Sequence, residues 1–326
     1  MVSAAGAFTY SVEHFYAKHP GHPIAPLSAE YLGIFKEAGL ATPELVVAGD
    51  NDGSIRLLVE GRTAFAMDAH PAMLIEANAK GADIAIIGSY RNGLPFGIAA
   101  PPGAIPDVAA LQGKRFTTNR RLGAGERMIR ATFNKLGFDP DEDVEIVEIH
   151  NEGMPEKFQA IKDGRADFLV YHFDGPQGEQ AQRLIDQGEL EQVVDLSTVF
   201  PHYVVRSIAA SGRVLHEQPD AVVAFLRGVM QAHVAMKNDE SIRLETVDVL
   251  KRALNVDSLE GSGVENGIPR TWFVEPDEIL ASVEGVQVHV EELQADGRLD
   301  SGYSAERIVR NDLAETALAQ IRALTA

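Results

Sequence analysis

The sequence predicts an α/β protein of two lobes, each built around a largely parallel sheet. Short β-like runs alternate with helix-like stretches, the pattern of strands flanked by helices. The alternation breaks at Pro101-Pro102-Gly103 and then restarts. The segment Leu58-Val59-Glu60-Gly61-Arg62-Thr63-Ala64-Phe65 is also echoed by Ile161-Lys162-Asp163-Gly164-Arg165-Ala166-Asp167-Phe168. Both read as a helix end, an acidic residue, a Gly-Arg turn and a strand. An ordinary α-to-β turn explains the echo, and so do two lobes of similar topology. In an open parallel sheet, ligands sit beyond the carboxyl ends of the strands. Two such lobes would bring their polar strand tips to one cleft: Asp68 and His70 in the first, His172 and Asp174 in the second.

Taken in order, Ala7–Tyr10 reads as a first short strand. Ser28–Ala38 reads as a helix, with Ala29, Leu32, Ile34, Phe35 and Ala38 as its apolar face and Gly39 as its cap. A strand at Leu45–Ala48 leads to a helix at Ser54–Glu60 ended by Gly61. Ala64–Met67 is the third strand, Pro71–Lys80 a helix stopped at Gly81, and Ile84–Ile87 the fourth strand. Gly97–Ala100 is a further apolar segment before the break. Past it come a strand at Arg115–Thr117, a helix at Gly125–Leu136, a strand at Val144–Ile149 and a helix at Glu156–Lys162. Phe168–Tyr171 is a strand and Gly178–Asp186 a polar helix. The partly β-branched stretch Leu196–Ala209 is long enough to carry the chain between lobes. From Pro219 onward the sequence is mainly helical.

Composition removes several functions. The 326 residues suit about two domains. The absence of cysteine excludes disulfides, a thiolate zinc site and a cysteine nucleophile. A net charge of −19, from 29 basic and 48 acidic side chains, argues against nucleic acid or an anionic membrane as partner. No apolar run reaches the roughly 20 residues of a membrane span, so membrane insertion is not expected. Met1–Gly6 lacks the basic start and apolar stretch of a secretory signal. The chain as written is expected in the cytoplasm, or in the periplasm or outside the cell if a signal was trimmed.

Several segments together resemble the sulfonate, taurine and thiamine-precursor solute-binding proteins, the NMT1/THI5-like family. Gly33-Ile34-Phe35-Lys36-Glu37-Ala38-Gly39-Leu40 resembles the family's G-x-F-K-E-A-G-L helix. The likeness continues through Gly61-Arg62, Ala79-Lys80-Gly81-Ala82-Asp83-Ile84 and Ile87-Gly88-Ser89. Leu111-Gln112-Gly113-Lys114-Arg115-Phe116 is similar to the step into the second lobe, Phe158–Asp167 to a later strand entry, and Gln218–Val222 to a late helix start. The resemblance implies a type II periplasmic-binding-protein fold. Residues 1–100 and 205–326 would form lobe one and 101–204 lobe two. Hinge crossings would fall near Ala99–Pro102 and Ser197–Arg206. It also implies a protein that closes two lobes over a small molecule, as the partner of an ABC transporter permease. Enzymes share the fold, so a cytoplasmic decarboxylase or hydrolase with His70 or His172 as acid/base is the alternative. The yeast thiamine pyrimidine synthase resembles this region but uses a Lys and a His near the helix after the third strand and a Cys-rich segment; this chain offers His70 there, but no Lys from Arg62 to Ala79 and no Cys. The sulfinate desulfinases on this fold rely on a cysteine, also absent.

The candidate site residues follow from these placements. After the first strand, where the resemblance puts a ligand loop, Tyr10 would stack on a planar ligand while Ser11 binds its acidic group; a helix cap by Ser11 is the plainer alternative. His14 belongs to the same loop. Its histidines, with His19 and His22, lack helical zinc spacing and are broken by Pro20-Gly21, so no metal is expected. Asp68 and His70 precede a helix start. There a histidine's pKa falls, and its neutral ring can bind a ligand or act as a base, or either residue can simply cap the helix. Thr118, Asn119, Arg120 and Arg121 join a strand to a helix start, where backbone N–H groups and bidentate guanidinium donors suit a carboxylate, sulfonate or phosphate. The two arginines are otherwise a solvated pair. Arg91 in Tyr90-Arg91-Asn92, together with His172 and Asp174, would line the cleft rims. Trp272 is either a packing residue or a ligand contact. No Walker loop, nucleophile elbow or dinucleotide glycine pattern is present, so no cofactor is expected. The expected ligand is a small organic anion, either an aromatic acid or a sulfonate.

Overall fold

The computed structural model describes residues 8–13, 15, 23–50, 52–94, 96–118, 124–149, 153–173, 175–260, 262–265 and 267–325. The chain divides into unit 1, Met1–Asn92 with Tyr203–Ala326, and unit 2, Gly93–His202. Unit 1 opens with β1 (Thr9–Val12), α1 (Ile24–Tyr31), α2 (Ile34–Glu37), β2 (Glu44–Val47), α3 (Gly53–Val59), β3 (Phe65–Ala69), α4 (Pro71–Ala79) and β4 (Ile84–Asn92). Unit 2 contributes β5 (Phe96–Ala100), β6 (Lys114–Thr118), α5 (Ala124–Lys135), β7 (Val144–Glu148), α6 (Met154–Lys162), β8 (Phe168–His172), α7 (Gly175–Asp186), β9 (Glu191–Asp195) and α8 (Leu196–Val199). The chain then completes unit 1 with β10 (Val204–Ser211), α9 (Gly212–Glu217), α10 (Pro219–Asn238), α11 (Glu240–Leu254), α12 (Val283–Ala295) and α13 (Asp312–Thr325).

The sequence echo is the same turn built twice. In α3 the N–H of Arg62 returns to Leu57 O at 2.9 Å, around Gly61 at φ +67°. In α6 the N–H of Arg165 returns to Ala160 O at 2.8 Å, around Gly164 at φ +68°. Both are left-handed helix stops that only glycine adopts without steric cost. Two residues on, Ala64 N donates to Thr9 O in β1 and Asp167 N donates to Arg115 O in β6. Each turn thereby sets the register of a strand against the first parallel strand of its sheet. The sheet orders, β2-β1-β3-β10-β4 and β7-β6-β8-β5-β9, correspond position by position. The two units share one topology.

Neither sheet is purely parallel. β1 runs parallel to β2 and β3, but β10 lies antiparallel between β3 and β4; in unit 2, β5 lies antiparallel between β8 and β9. That insertion corrects the expected first crossing. β5 pairs with β8 and β9, so Phe96–Ala100 belongs to unit 2, and the chain leaves unit 1 after Asn92 rather than near residue 100. The predicted helix at Ser28–Ala38 is also corrected. It starts earlier, at Ile24, and Gly33 at φ +72° splits it, which turns Phe35 into the core at 1% exposure. The other predicted elements before Leu196 start and stop within a few residues of their observed bounds, apart from β4, which runs on to Asn92. The stretch Leu196–Ala209 resolves into α8, a turn and most of β10.

The core of unit 1 centres on Phe225 of α10, which stacks on Phe65 of β3 at 4.0 Å between ring centroids and on Phe35 at 5.7 Å, both nearly parallel. Unit 2 has its own aromatic centre in Phe116, Phe133 and Phe168. Both chain crossings are gripped on the unit 1 side by the segment 278–295. Asn92 Nδ2 donates to Glu278 O and Leu280 O at 2.9 and 2.8 Å, and its Oδ1 accepts from Ser282 N at 3.3 Å. Ser282 in turn caps α12 through Gly285 N. On α12, His289 Nε2 donates to Val204 O at 2.8 Å, and its ring lies 4.5 Å from that of Tyr203. Burial holds His289 neutral, its pKa down to about 4, with the Val204 bond only partly offsetting.

Two predictions follow. Phe225→Ala removes the stack and leaves a cavity, and denaturant titration is expected to show a loss of about 3–5 kcal/mol; a loss below about 1 kcal/mol would deny the stack its central place. The unfolded chain protonates His289 below about pH 6.5 while the folded chain resists down to about pH 4. The folded state therefore loses up to about 3 kcal/mol from this residue on acidification across that window. Melting curves of His289→Gln should be flatter over that range than those of the parent; equal slopes would refute the assignment.

Candidate functional site

The carboxyl ends of β1 and β3 carry a buried charge cluster. Glu13 follows β1 directly and is 2% exposed. Its backbone N–H donates to both carboxylate oxygens of Asp68 on β3, at 3.0 and 3.1 Å. Its own carboxylate accepts from Arg206 Nη1 at 2.9 Å, and the same Nη1 reaches Asp68 O at 3.3 Å. Arg206 arrives from β10. Because that strand runs antiparallel, with Arg206 opposite Arg91 and Ser207 opposite Ala69, its early residues lie at the late ends of β3 and β4. The Arg206 side chain is 24% exposed, and among the described residues its Nη2 and Nε make no hydrogen bond.

The electrostatics of this cluster are uneven. Burial pushes the Glu13 carboxyl up to about 7; Arg206 opposes the shift, while Asp68 and Asp52 add to it. Protonation of Glu13 removes one negative charge from this cluster. Ser89 Oγ donates to Arg206 O at 3.4 Å. Tyr90, half-buried on β4, has its phenol pKa raised by burial and by the nearby Asp68. Ser207 Oγ is buried with no hydrogen-bond partner among the described residues. A guanidinium half committed to protein carboxyl and carbonyl oxygens, with its remaining N–H groups unspent, is a donor set for an oxyanion.

The residues singled out from sequence fall differently. Tyr10 and Ser11 face the interior rather than a ligand loop. Tyr10 is 1% exposed, with its ring 6.4 Å from that of Phe225. Ser11 Oγ lies within 3.3–3.4 Å of Ser54 O, Phe65 O and Thr63 Oγ1, stitching β1 to β3 and α3. The alternation of a strand explains both, since successive side chains of a central strand meet opposite covering layers. Asp68 is buried and joins two strand ends instead of capping α4. His70 holds the N-cap position of α4 without a side-chain cap bond, its ring edge-on to His289 at 5.7 Å. Arg91 and Thr118 occupy the late positions of β4 and β6. His172 ends β8 with its ring edge-on to Phe96 at 4.7 Å. Trp272 packs against the cluster of Ile24, Leu27, Met236 and Leu250. His14, Asn119, Arg120, Arg121 and Asp174 lie outside the described residues.

In the first turn of α5, Glu126 is fully buried and paired with Arg130 at 2.8 Å, so a protein carboxylate already sits at that helix start. Sequence reasoning missed the Glu13–Arg206 pair. Glu13 precedes the candidate His14 in the sequence, and Arg206 ends the expected second chain crossing. No spacing joins positions 13, 68 and 206; only the insertion of β10 does. Among the described residues, no group of three or more His, Asp or Glu side chains is placed to hold a metal ion, and no helix is long and apolar enough to cross a membrane.

Two units of one topology, each with an antiparallel crossing strand set into its sheet, define the type II periplasmic-binding fold. Solved structures repeat it over nearly the whole chain. One is the protein assigned as the periplasmic sulfonate-binding protein SsuA of Methylobacillus flagellatus KT, with 13% identity, 98% of this chain and 96% of that one covered, and a TM-score of 0.65. A second is the periplasmic aliphatic sulphonate binding protein SsuA of Escherichia coli, with 13% identity, 94% and 92% coverage, and a TM-score of 0.64. The desulfurization enzyme DSZB also matches, with 15% identity, 97% and 100% coverage, and a TM-score of 0.58. No curated protein matches the chain. The NMT1/THI5-like family model matches residues 23–241, and the chain belongs to that family.

Proposed function

We propose that this chain is the solute-binding component of an ABC-type importer and that its ligand is a small organic anion. Family membership supports the solute-binding role, as do the names of the SsuA proteins that share its fold. The observation that carries the anion reading is Arg206, with Nη1 tied to Glu13 and Asp68 and its other N–H groups uncommitted among the described residues, at the carboxyl edge of the sheet. Sulfonates and carboxylates both match this planar fork. The sequence candidates Arg120 and Arg121 belong to the same proposal as a second source of donors. Closure of the two lobes over the ligand, and delivery to a transporter permease, complete the reading.

The test is calorimetry against alkanesulfonates, arylsulfonates and aromatic carboxylates. Arg206→Ala, made in a Glu13→Gln background so that no buried carboxylate is stranded, is expected to weaken binding by about 1.5–3 kcal/mol relative to Glu13→Gln alone. Arg206→Lys in the same background keeps the charge but loses the fork, and should fall between the two. Unchanged affinity in the alanine variant would remove Arg206 from the site.

A further inference from the structure

We infer that Glu13 is a built-in competitor for Arg206, and that an anion captured by this arginine drives a proton onto Glu13. The inference rests on the anion reading of the site. In the free protein the Glu13 carboxylate, 3% exposed, accepts 2.9 Å from Arg206 Nη1 and has no second cation within ion-pair distance among the described residues. The charged groups around it are Asp68 on β3, Asp52 at the start of α3 and Arg206 on β10. Two of the three are acidic, so among the described residues Arg206 alone stabilises the ionised form.

An anion bound to Nη2 and Nε brings a further negative charge to the same guanidinium. It shares the positive charge that held Glu13 ionised and excludes water from a carboxylate that is already buried. Both effects favour the protonated acid. Burial has already pushed the Glu13 carboxyl up to about 7, so the added repulsion acts where the group is half ionised near neutrality. The proton comes from bulk water or buffer. Protonated Glu13 keeps one carbonyl oxygen to accept from Arg206 Nη1, so the arginine stays in place while its charge goes to the ligand. Affinity is then highest on the acidic side of neutrality and declines as the pH rises. The Asp68 carboxylate fixes the Glu13 backbone N–H, and the Asp68 main-chain carbonyl, 3.3 Å from Arg206 Nη1, keeps the arginine from swinging away.

Benzenesulfonate and octanesulfonate serve as probes, because their own charge does not titrate near neutrality. Calorimetry in buffers of different ionisation enthalpy, between about pH 6 and about pH 8, is expected to report about half a proton taken up per bound anion near neutrality. Affinity should be about five- to tenfold weaker at the upper end. In Glu13→Gln the uptake should vanish, and the affinity should stay close to that of the parent at low pH across the whole range. Binding without proton uptake in the parent, or uptake that persists in Glu13→Gln, overturns the competitor role and leaves the anion site standing. Failure of both sulfonates, and of benzoate, to bind at any pH overturns the anion reading and this inference with it.

Discussion

The arrangement depends on one strand that arrives late. β10 follows unit 2 in the chain and slots antiparallel between β3 and β4. Without it the two strands on either side would each expose a row of unpaired backbone groups, which sheets tolerate poorly. Its register does more than fill the gap. By setting Ser207 beside Ala69 and Arg206 beside Arg91, it delivers a guanidinium to the end of the sheet where the parallel strands stop. A slip of one residue would send Arg206 to the opposite face, because side chains alternate along a strand. The position of the charge cluster is therefore a consequence of sheet pairing.

The electrostatics of the site have to be local. The chain carries a net charge of −19, which repels an approaching anion at long range. At physiological ionic strength that repulsion is screened beyond about 8 Å. Inside that distance, a partly dehydrated guanidinium with unspent donors outweighs distant carboxylates on the surface. Asp68 contributes by geometry: its two oxygens hold the Glu13 backbone and its carbonyl holds Arg206. One buried acid thereby fixes both members of the ion pair it sits beneath.

Much of the fold was legible because its rules are local. Gly61-Arg62 and Gly164-Arg165 announce a helix stop and a strand start within a few residues, and the shared topology follows from that repeat. The family likeness lies in similarly short stretches. Errors came where pairing between distant segments decides. Phe96–Ala100 reads as the end of one sheet but joins the other, because its partners lie about 70–100 residues onward. Gly33 reads as one residue in a helix, yet its left-handed backbone splits the helix and aims Phe35 inward. At the site, Asp68 and His70 could be placed from a strand end and a helix start. Tyr10 and Ser11 were assigned to a surface, but both side chains are buried in β1. Glu13 and Arg206 are 193 positions apart and meet only through β10.

The grip of the segment 278–295 on both crossings bears on how the molecule is made. Unit 2 is one continuous stretch, Gly93–His202, and has all its strands once the ribosome has passed it. Unit 1 does not. Its first strands emerge early, but β10, the Phe225 stack and the anchors of Asn92 and Val204 come from residues made last. Domains of a growing chain fold as their residues become available. The inserted unit is therefore complete while β3 and β4 still wait with open edges, and a translation pause or truncation before residue 204 leaves a finished unit 2 tethered to an unfinished, association-prone half of unit 1.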